Sequence, residues 1–367
     1  MLPLLKNHAQ AAATRMTPAA TDYVGTGSAG EVTLDEAELA WRDWRLLPTV
    51  LAGVDDASTR LDLLGSALAT PVLAAPTAYH RLAHPEGELA TAAGVAEAGS
   101  LMVLSTRTSV PIEEVAGLLA ARGTPWWWQS YLMRDRSLTA ALALRATAAG
   151  AGAVVLTGDT PYVGLRARES HGGPEGTADL MHANLARHLV DDGGPGTDAE
   201  QAVEQAPATL ADIGWLAGLT GLPVLVKGVL SGADAVRCLD AGAAGVVVSN
   251  HGGRQLDRAV ATARALPAVV DAVAGRAPVL VDGGLRSGLD VLVALALGAD
   301  AVLLGRPVVW GLAAQGSTWV TACLEAVRAD LAHGLGLLGV GDLAGLADRG
   351  RSCLVPAGPW RGDGGAA

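Results

Sequence analysis

The sequence predicts an α/β fold, a (β/α)8 TIM barrel with an N-terminal helical segment and an insertion after the fourth strand. Three observations predict it. Eight short apolar runs, several of them rich in β-branched residues, alternate with amphipathic helical runs, the pattern of buried parallel strands and their crossovers. Each apolar run stops at or beside a polar or ionisable residue. The span from Val72 to Leu335 is about the ~250 residues typical of such a barrel.

The elements follow in order. Asn7 to Tyr23 reads as an N-terminal helix, and Gly25-Thr-Gly27-Ser-Ala-Gly30 follows it. That segment matches G-x-G-x-x-G, but a phosphate-cradling loop should follow a strand and open a helix. It is therefore expected to be a C-cap and turn leading into a second short helix, Asp35 to Trp44. Residues 1–70 form the N-terminal helical segment packing on the barrel, which occupies 71–355. The strands are expected at Val72 to Ala75, Leu101 to Leu104, Trp126 to Gln129, Ala153 to Thr157, Val224 to Lys227, Gly245 to Ser249, Val279 to Val281 and Ala301 to Leu304. Helical runs fall between them, among them Glu88 to Ala98, Pro111 to Ala121, Leu138 to Ala149, Ser231 to Ala241 and Gly288 to Leu297. The gap between the fourth and fifth strands is about twice the others, and the insertion at about 167–206 is either a lid over the active-site face or a surface loop. Pro207 to Leu219 restores helical periodicity, and the Gly-rich tail 356–367 is expected to be disordered.

Composition narrows the function. Half of the 367 residues are apolar, enough for a large core, yet no uncharged stretch is long enough to cross a bilayer. Met1 to Arg15 mixes Lys6, His8 and Arg15 with alanines and shows no secretory signal, so a cytoplasmic protein is expected. A net charge of −11 argues against nucleic acid or an anionic membrane surface as partner; an anionic ligand needs a local basic pocket. Cys238, Cys323 and Cys353 are odd in number and far apart, which supports neither a disulfide framework nor a metal site.

The strand ends carry the chemistry. In succession they offer Thr77 and Ala78, Ser105, Gln129 with Tyr131, Thr157 with Asp159, Lys227, Ser249 with His251, Asp282 with Gly284, and Gly305 with Arg306. The carboxyl ends of barrel strands are where catalytic groups sit. The sixth run, Gly245-Val-Val-Val-Ser-Asn-His-Gly-Gly-Arg254, sets a group able to take a proton, His251, beside a fixed cation suited to a carboxylate. Asp282-Gly-Gly-Leu-Arg286 and Leu304-Gly-Arg306 place glycine amides and two guanidiniums where barrels commonly hold a phosphate. Lys227 ends an apolar strand, and a buried lysine requires an acceptor or a negative partner. Flavin mononucleotide (FMN) supplies both a phosphate and a ring edge that turns anionic on reduction; a Schiff-base lysine of aldolase type is the alternative.

The segments Ala75-Pro-Thr-Ala78, His84-Pro-Glu-Gly-Glu88, Leu156-Thr-Gly-Asp-Thr-Pro161, Val226-Lys-Gly228, Ser249-Asn-His-Gly-Gly-Arg-Gln-Leu-Asp257, Asp282-Gly-Gly284 and Gly305-Arg-Pro307 together resemble the FMN-dependent 2-hydroxy-acid oxidase and dehydrogenase family, from about Asp22 to Gly334. The run Ala78 to Glu88 looks closest to hydroxymandelate oxidases, which implies an aromatic, mandelate-like substrate. The resemblance implies oxidation of an (S)-2-hydroxy acid to the 2-oxo acid with FMN as cofactor, O2 as oxidant and a homotetramer or larger assembly. A dehydrogenase or a decarboxylating monooxygenase would use the same residues. By matching position, His251 is the base and Asp159 stabilises its imidazolium; Arg254 and Arg166 grip the substrate carboxylate; Tyr131 and Tyr23 hydrogen-bond its oxygens. Flavin contacts fall on Thr77, Ala78, Ser105, Gln129, Thr157, Lys227, Ser249, Asp282, Gly284, Arg286, Gly305 and Arg306. Tyr79, Arg107 and Val163 are candidates for substrate specificity.

Three positions depart from the family pattern. Arg107 stands where glycolate oxidases often have an aromatic residue, and either faces solvent or turns inward toward a polar or acidic substrate group. Leu165 replaces one of a usual basic pair. Gly158 replaces a larger apolar residue and could loosen the turn holding Asp159.

Overall fold

The structure is a computed structural model that describes residues 1–169, 183–184 and 205–357. Most of the expected lid and the tail from residue 358 lie outside the described residues.

The N-terminal segment is more broken than its periodicity suggests. Instead of one helix it forms α1 (Pro3–Arg15) and α2 (Pro18–Gly25). Proline lacks the N–H that would continue the first helix, and Thr17 caps the second by accepting the Ala20 N–H. The Gly25 to Gly30 stretch closes α2 and leads into α3 (Val32–Ala40), with Trp41–Asp43 as a single 3-10 turn. Three short strands follow: β1 (Trp44–Leu46), β2 (Leu61–Leu63) and β3 (Ser66–Leu68). Residues 1–70 are therefore mixed rather than purely helical. Chain ends meet here, because β1 pairs antiparallel with β12 (Leu354–Pro356), which places Pro356 in a strand and not in a disordered tail.

The barrel itself is closed and parallel, its neighbours in chain order. It consists of β4 (Val72–Ala74), β5 (Met102–Ser105), β6 (Trp126–Ser130), β7 (Val154–Thr157), β8 (Val224–Val229), β9 (Gly245–Val248), β10 (Val279–Asp282) and β11 (Ala301–Leu304). Side chains alternate across each strand. One set, including Val72, Met102, Trp128, Val154, Val246 and Val302, packs outward under the helices. The other, including Leu73, Val103, Trp127, Val155, Leu225, Val247, Leu280 and Leu303, fills the interior. Leu63 and Leu68 of the β2–β3 hairpin join that interior cluster and plug its floor. β11 gives way to a long helix, Arg306–Leu338, broken at Gln315 and Gly316, whose first turn faces the opposite, open end.

Candidate active site

The site grows out of the same alternation. Two residues beyond the apolar interior positions, the inward places are taken by Ala75, Ser105, Gln129, Thr157, Lys227, Ser249, Asp282 and Gly305. The polar members bond around the ring. Ser105 Oγ donates to Gln129 Oε1 (3.1 Å), Gln129 Nε2 to Thr157 Oγ1 (2.9 Å), and Lys227 Nζ to Ser249 Oγ (2.8 Å). Lys227 Nζ also pairs with Asp282 at 3.1 Å. Burial acts to lower the Lys227 pKa, but Asp282 and Asp159 outweigh it and hold the ammonium above its ordinary range. An amine paired with a carboxylate in this way is poorly placed to attack a carbonyl, which counts against the aldolase alternative.

The loop after β9, the sixth barrel strand (loop six), brings an imidazole and cations together. His251 Nδ1 sits 3.0 Å from Asp159 Oδ1, and its Nε2 lies 3.4 Å from the Tyr131 hydroxyl. The backbone places it there at a left-handed φ of 58°, with its N–H donating to Ser249 Oγ. Burial lowers the His251 pKa, with Lys227 and Arg254 acting the same way against Asp159. For Asp159, burial acts upward but His251 and Lys227 prevail and hold it low. The directions of the two shifts favour a neutral imidazole beside an ionised carboxylate. Burial keeps the Tyr131 phenol protonated by raising its pKa.

Gly158 does not loosen this arrangement, since its N–H donates to Lys227 O at 2.8 Å and continues the ladder. The glycine that matters is Gly228, at a β-bulge and φ of 109°, where an added Cβ would lie 2.5 Å from Asp159 Cβ. Gln255 holds the other side of the turn by donating to Asp159 O and Tyr162 O, both at 3.1 Å. Asp257, which ends the same motif, accepts the N–H groups of Gly30 and Thr33 at 3.0 Å and anchors the N-terminal segment.

That segment delivers Tyr23. Arg254 donates to Tyr23 O (2.6 Å) and Thr26 O (2.9 Å) and lies 5.0 Å over the Tyr23 ring. Arg306 donates to Val24 O, Gly252 O and Thr26 O. Arg286 faces Glu38 at 2.9 Å and stacks over Trp310. Gly284, at φ 77°, meets α3 so closely that a Cβ would stand 2.0 Å from Ala37 O, so its first duty is structural.

These groups line one cleft, whose empty volume including its open mouth is about 1360 Å3. Tyr23, Tyr131, Arg166, His251 and Arg254 line it, as do Thr77, Ala78, Ser105, Gln129, Thr157, Lys227, Asp282, Gly284, Arg286, Gly305 and Arg306. Asp159 and Ser249 stand behind His251 and Lys227. Of the specificity candidates, Arg107 and Val163 are on the wall, whereas Tyr79 is only 4% exposed and packs behind Tyr23, ring centroids 5.9 Å apart. Gln205 and Thr160 also line the cleft; Thr160 lies in the Leu156 to Pro161 motif without an assigned role, and Gln205, at the edge of an aperiodic insertion, was unmarked in the sequence. Among the described residues no His, Cys, Asp and Glu cluster could hold a metal.

The wall fits a phosphorylated flavin. Burial, then Arg254 and Arg286, push the Arg306 pKa down to about 9, so an anion placed there would relieve a crowded cationic cluster. Gly305 precedes the helix that begins at Arg306, adding a helix N-terminus to the same corner. Asp282, on the cleft wall, leaves its Oδ1 buried without a hydrogen-bond partner, an acceptor available to a bound group. A barrel mouth with an anion corner and an imidazole–carboxylate base beside a second guanidinium defines an enzyme that binds a phosphorylated cofactor and a small acid.

Comparison with known proteins gives the family. Residues 12–353 match the FMN-dependent dehydrogenase family, and the chain belongs to it, with FMN as its cofactor. It is 42% identical over 348 residues to an L-lactate oxidase of Nostoc sp., covering 92% of this chain and 95% of that one. It is 44% identical over 322 residues to a 4-hydroxymandelate oxidase of Amycolatopsis orientalis, covering 87% and 89%. A crystal structure of mandelate oxidase superposes with a TM-score of 0.84 at 40% identity, covering 94% and 96%.

Proposed function

We propose that the protein oxidises an (S)-2-hydroxy acid to the 2-oxo acid and that O2 is the terminal oxidant, giving hydrogen peroxide. The observation that carries this reading is His251, held by Asp159 at 3.0 Å with its Nε2 beside the Tyr131 hydroxyl on the cleft wall that Arg254 also lines. The guanidiniums of Arg254 and Arg166 take the carboxylate, and a planar fork fixes the orientation of the carbinol carbon. Tyr23 and Tyr131 hydrogen-bond the substrate oxygens. His251 receives the proton that leaves the carbinol group, and Asp159 stabilises the imidazolium that forms. FMN, bound on the polar ring at the strand ends, supplies the two-electron acceptor. Lys227, Thr157, Gln129 and Ser105 would face its ring, and Arg286, Arg306 and the Gly305 amide its phosphate.

Relatives named for mandelate and lactate make aromatic and aliphatic 2-hydroxy acids the first to test. Peroxide measured per turnover separates the readings. One peroxide per 2-oxo acid is the expected result; turnover without peroxide under air that depends on an added artificial electron acceptor would mean a dehydrogenase, and a decarboxylated product without peroxide a monooxygenase. Three buried free cysteines are in keeping with a reducing compartment, and we place the enzyme in the cytoplasm as a homotetramer or larger. Light scattering and fractionation test those two points. No helix among the described residues is long and apolar enough to cross a membrane.

A further inference from the structure

Arg107 turns inward, and the proposed chemistry does not use it. Its backbone is fixed on both sides, the N–H donating to Ser105 Oγ at 3.1 Å and the carbonyl accepting from Tyr79 N–H at 3.0 Å. The guanidinium lies 5.5 Å over the Tyr131 ring and Nη2 donates to Gln205 Oε1 at 3.0 Å, on the wall of the cleft. Gln205 is itself aimed by a 3.2 Å bond to Thr160 Oγ1. Lys227 faces Asp282 and Arg286 faces Glu38, whereas no carboxylate of the described residues forms an ion pair with Arg107; the groups acting on its charge are phenols. The two substrate-facing phenols thus each carry a guanidinium, Arg254 over Tyr23 and Arg107 over Tyr131.

An apolar side chain closing this cleft would strip the remaining water from Arg107 and leave it only neutral partners, Gln205 and the phenols of Tyr79 and Tyr131, which offset the cost of a buried charge in part. A second anion on the substrate would reverse that cost, because a charge-assisted, bidentate bond forms in a partly dehydrated site. We infer that the preferred substrate is a 2-hydroxydicarboxylate, its α-carboxylate held by Arg254 and Arg166 and its distal carboxylate by Arg107. This assignment rests on the 2-hydroxy-acid reading and names the substrate class within it. Arg107 is a specificity residue, and takes no part in proton transfer.

The test is anaerobic reduction of the flavin in the FMN-loaded enzyme by (S)-2-hydroxyglutarate, (S)-malate, (S)-2-hydroxyvalerate and (S)-mandelate. The better diacid should exceed the neutral acids in kcat/KM by at least about tenfold, a difference a single polar contact supplies readily. Arg107→Met should invert the order, lowering the diacid about a hundredfold, mostly through KM, and raising the neutral acids. Arg107→Lys, which keeps the charge, should restore part of the diacid preference. Binding of 2-oxoglutarate against 2-oxovalerate, followed by the flavin difference spectrum, should show the same inversion without turnover. Should neutral acids reduce the wild-type flavin best, with Arg107→Met leaving their order unchanged, the dicarboxylate assignment falls while the oxidase reading stands. Should no 2-hydroxy acid reduce the flavin, both fall.

Discussion

The barrel interior has two ends built from the same strands and opposite chemistry. Toward the floor, Leu73, Trp127, Leu225, Val247 and Leu280 pack against Leu63 and Leu68 of the hairpin, with no charge among them. Two residues further along each strand, the inward positions hold Gln129, Lys227, Ser249 and Asp282. Only the register separates a packed core from a binding surface. The floor gives stability and the mouth gives chemistry, and substitutions should separate the two.

The largest effect is expected at His251. Replacing it by Gln should slow anaerobic flavin reduction by about 10^2–10^4-fold, the usual worth of a general base, and leave a folded, yellow protein. Unchanged reduction rates would remove His251 from the role of base. Next, Arg254→Met should weaken substrate binding by about 2–5 kcal/mol as a lost buried charge contact, while flavin content stays full. A flavin-free variant would show that the guanidinium supports the cofactor corner instead. At the floor, Leu63→Ala should cost about 2–5 kcal/mol of stability in denaturant titration through loss of buried contacts. Its rate of flavin reduction should change less than about twofold, since the floor touches no ligand. A large rate loss would mean that the two ends are coupled.

Smaller still is the pH dependence. His251 is lowered from its ordinary 6.5, so the neutral, proton-accepting form is present at neutral pH and is lost only on acidification. The pH profile of kcat/KM should be flat from about 6.5 upward until other groups titrate and fall on the acid side, and His251→Gln should lack that acid limb. An acid limb centred above 6.5 would place an unneutralised negative field on the imidazole and contradict the burial argument.

The contrast between the two ends was half legible in the sequence. The barrel strands were, because a short, uninterrupted apolar run that stops at Ser105, Gln129, Lys227 or Asp282 suits a buried parallel strand. The floor hairpin was not: Leu61–Leu63 and Ser66–Leu68 are too short for a period to register. Nor was the break at Thr17-Pro18, which a helical pattern spans although proline ends the first helix there. At the mouth, the motif His251 to Asp257 advertised its base and cation, but the anchoring duties of Gln255 and Asp257 depend on partners far away in sequence. Gly228 hid for the same reason. Its value lies in leaving room for Asp159, which no local pattern records.

The central claim is that the polar ring and loop six form one flavin-dependent site for 2-hydroxy acids. Anaerobic mixing of the purified yellow protein with a panel of (S)- and (R)-2-hydroxy acids tests it most directly. The account predicts that (S)-acids bleach the flavin stoichiometrically and that their 2-oxo acids appear in equal amount. A flavin that stays oxidised with every member of the panel would contradict it.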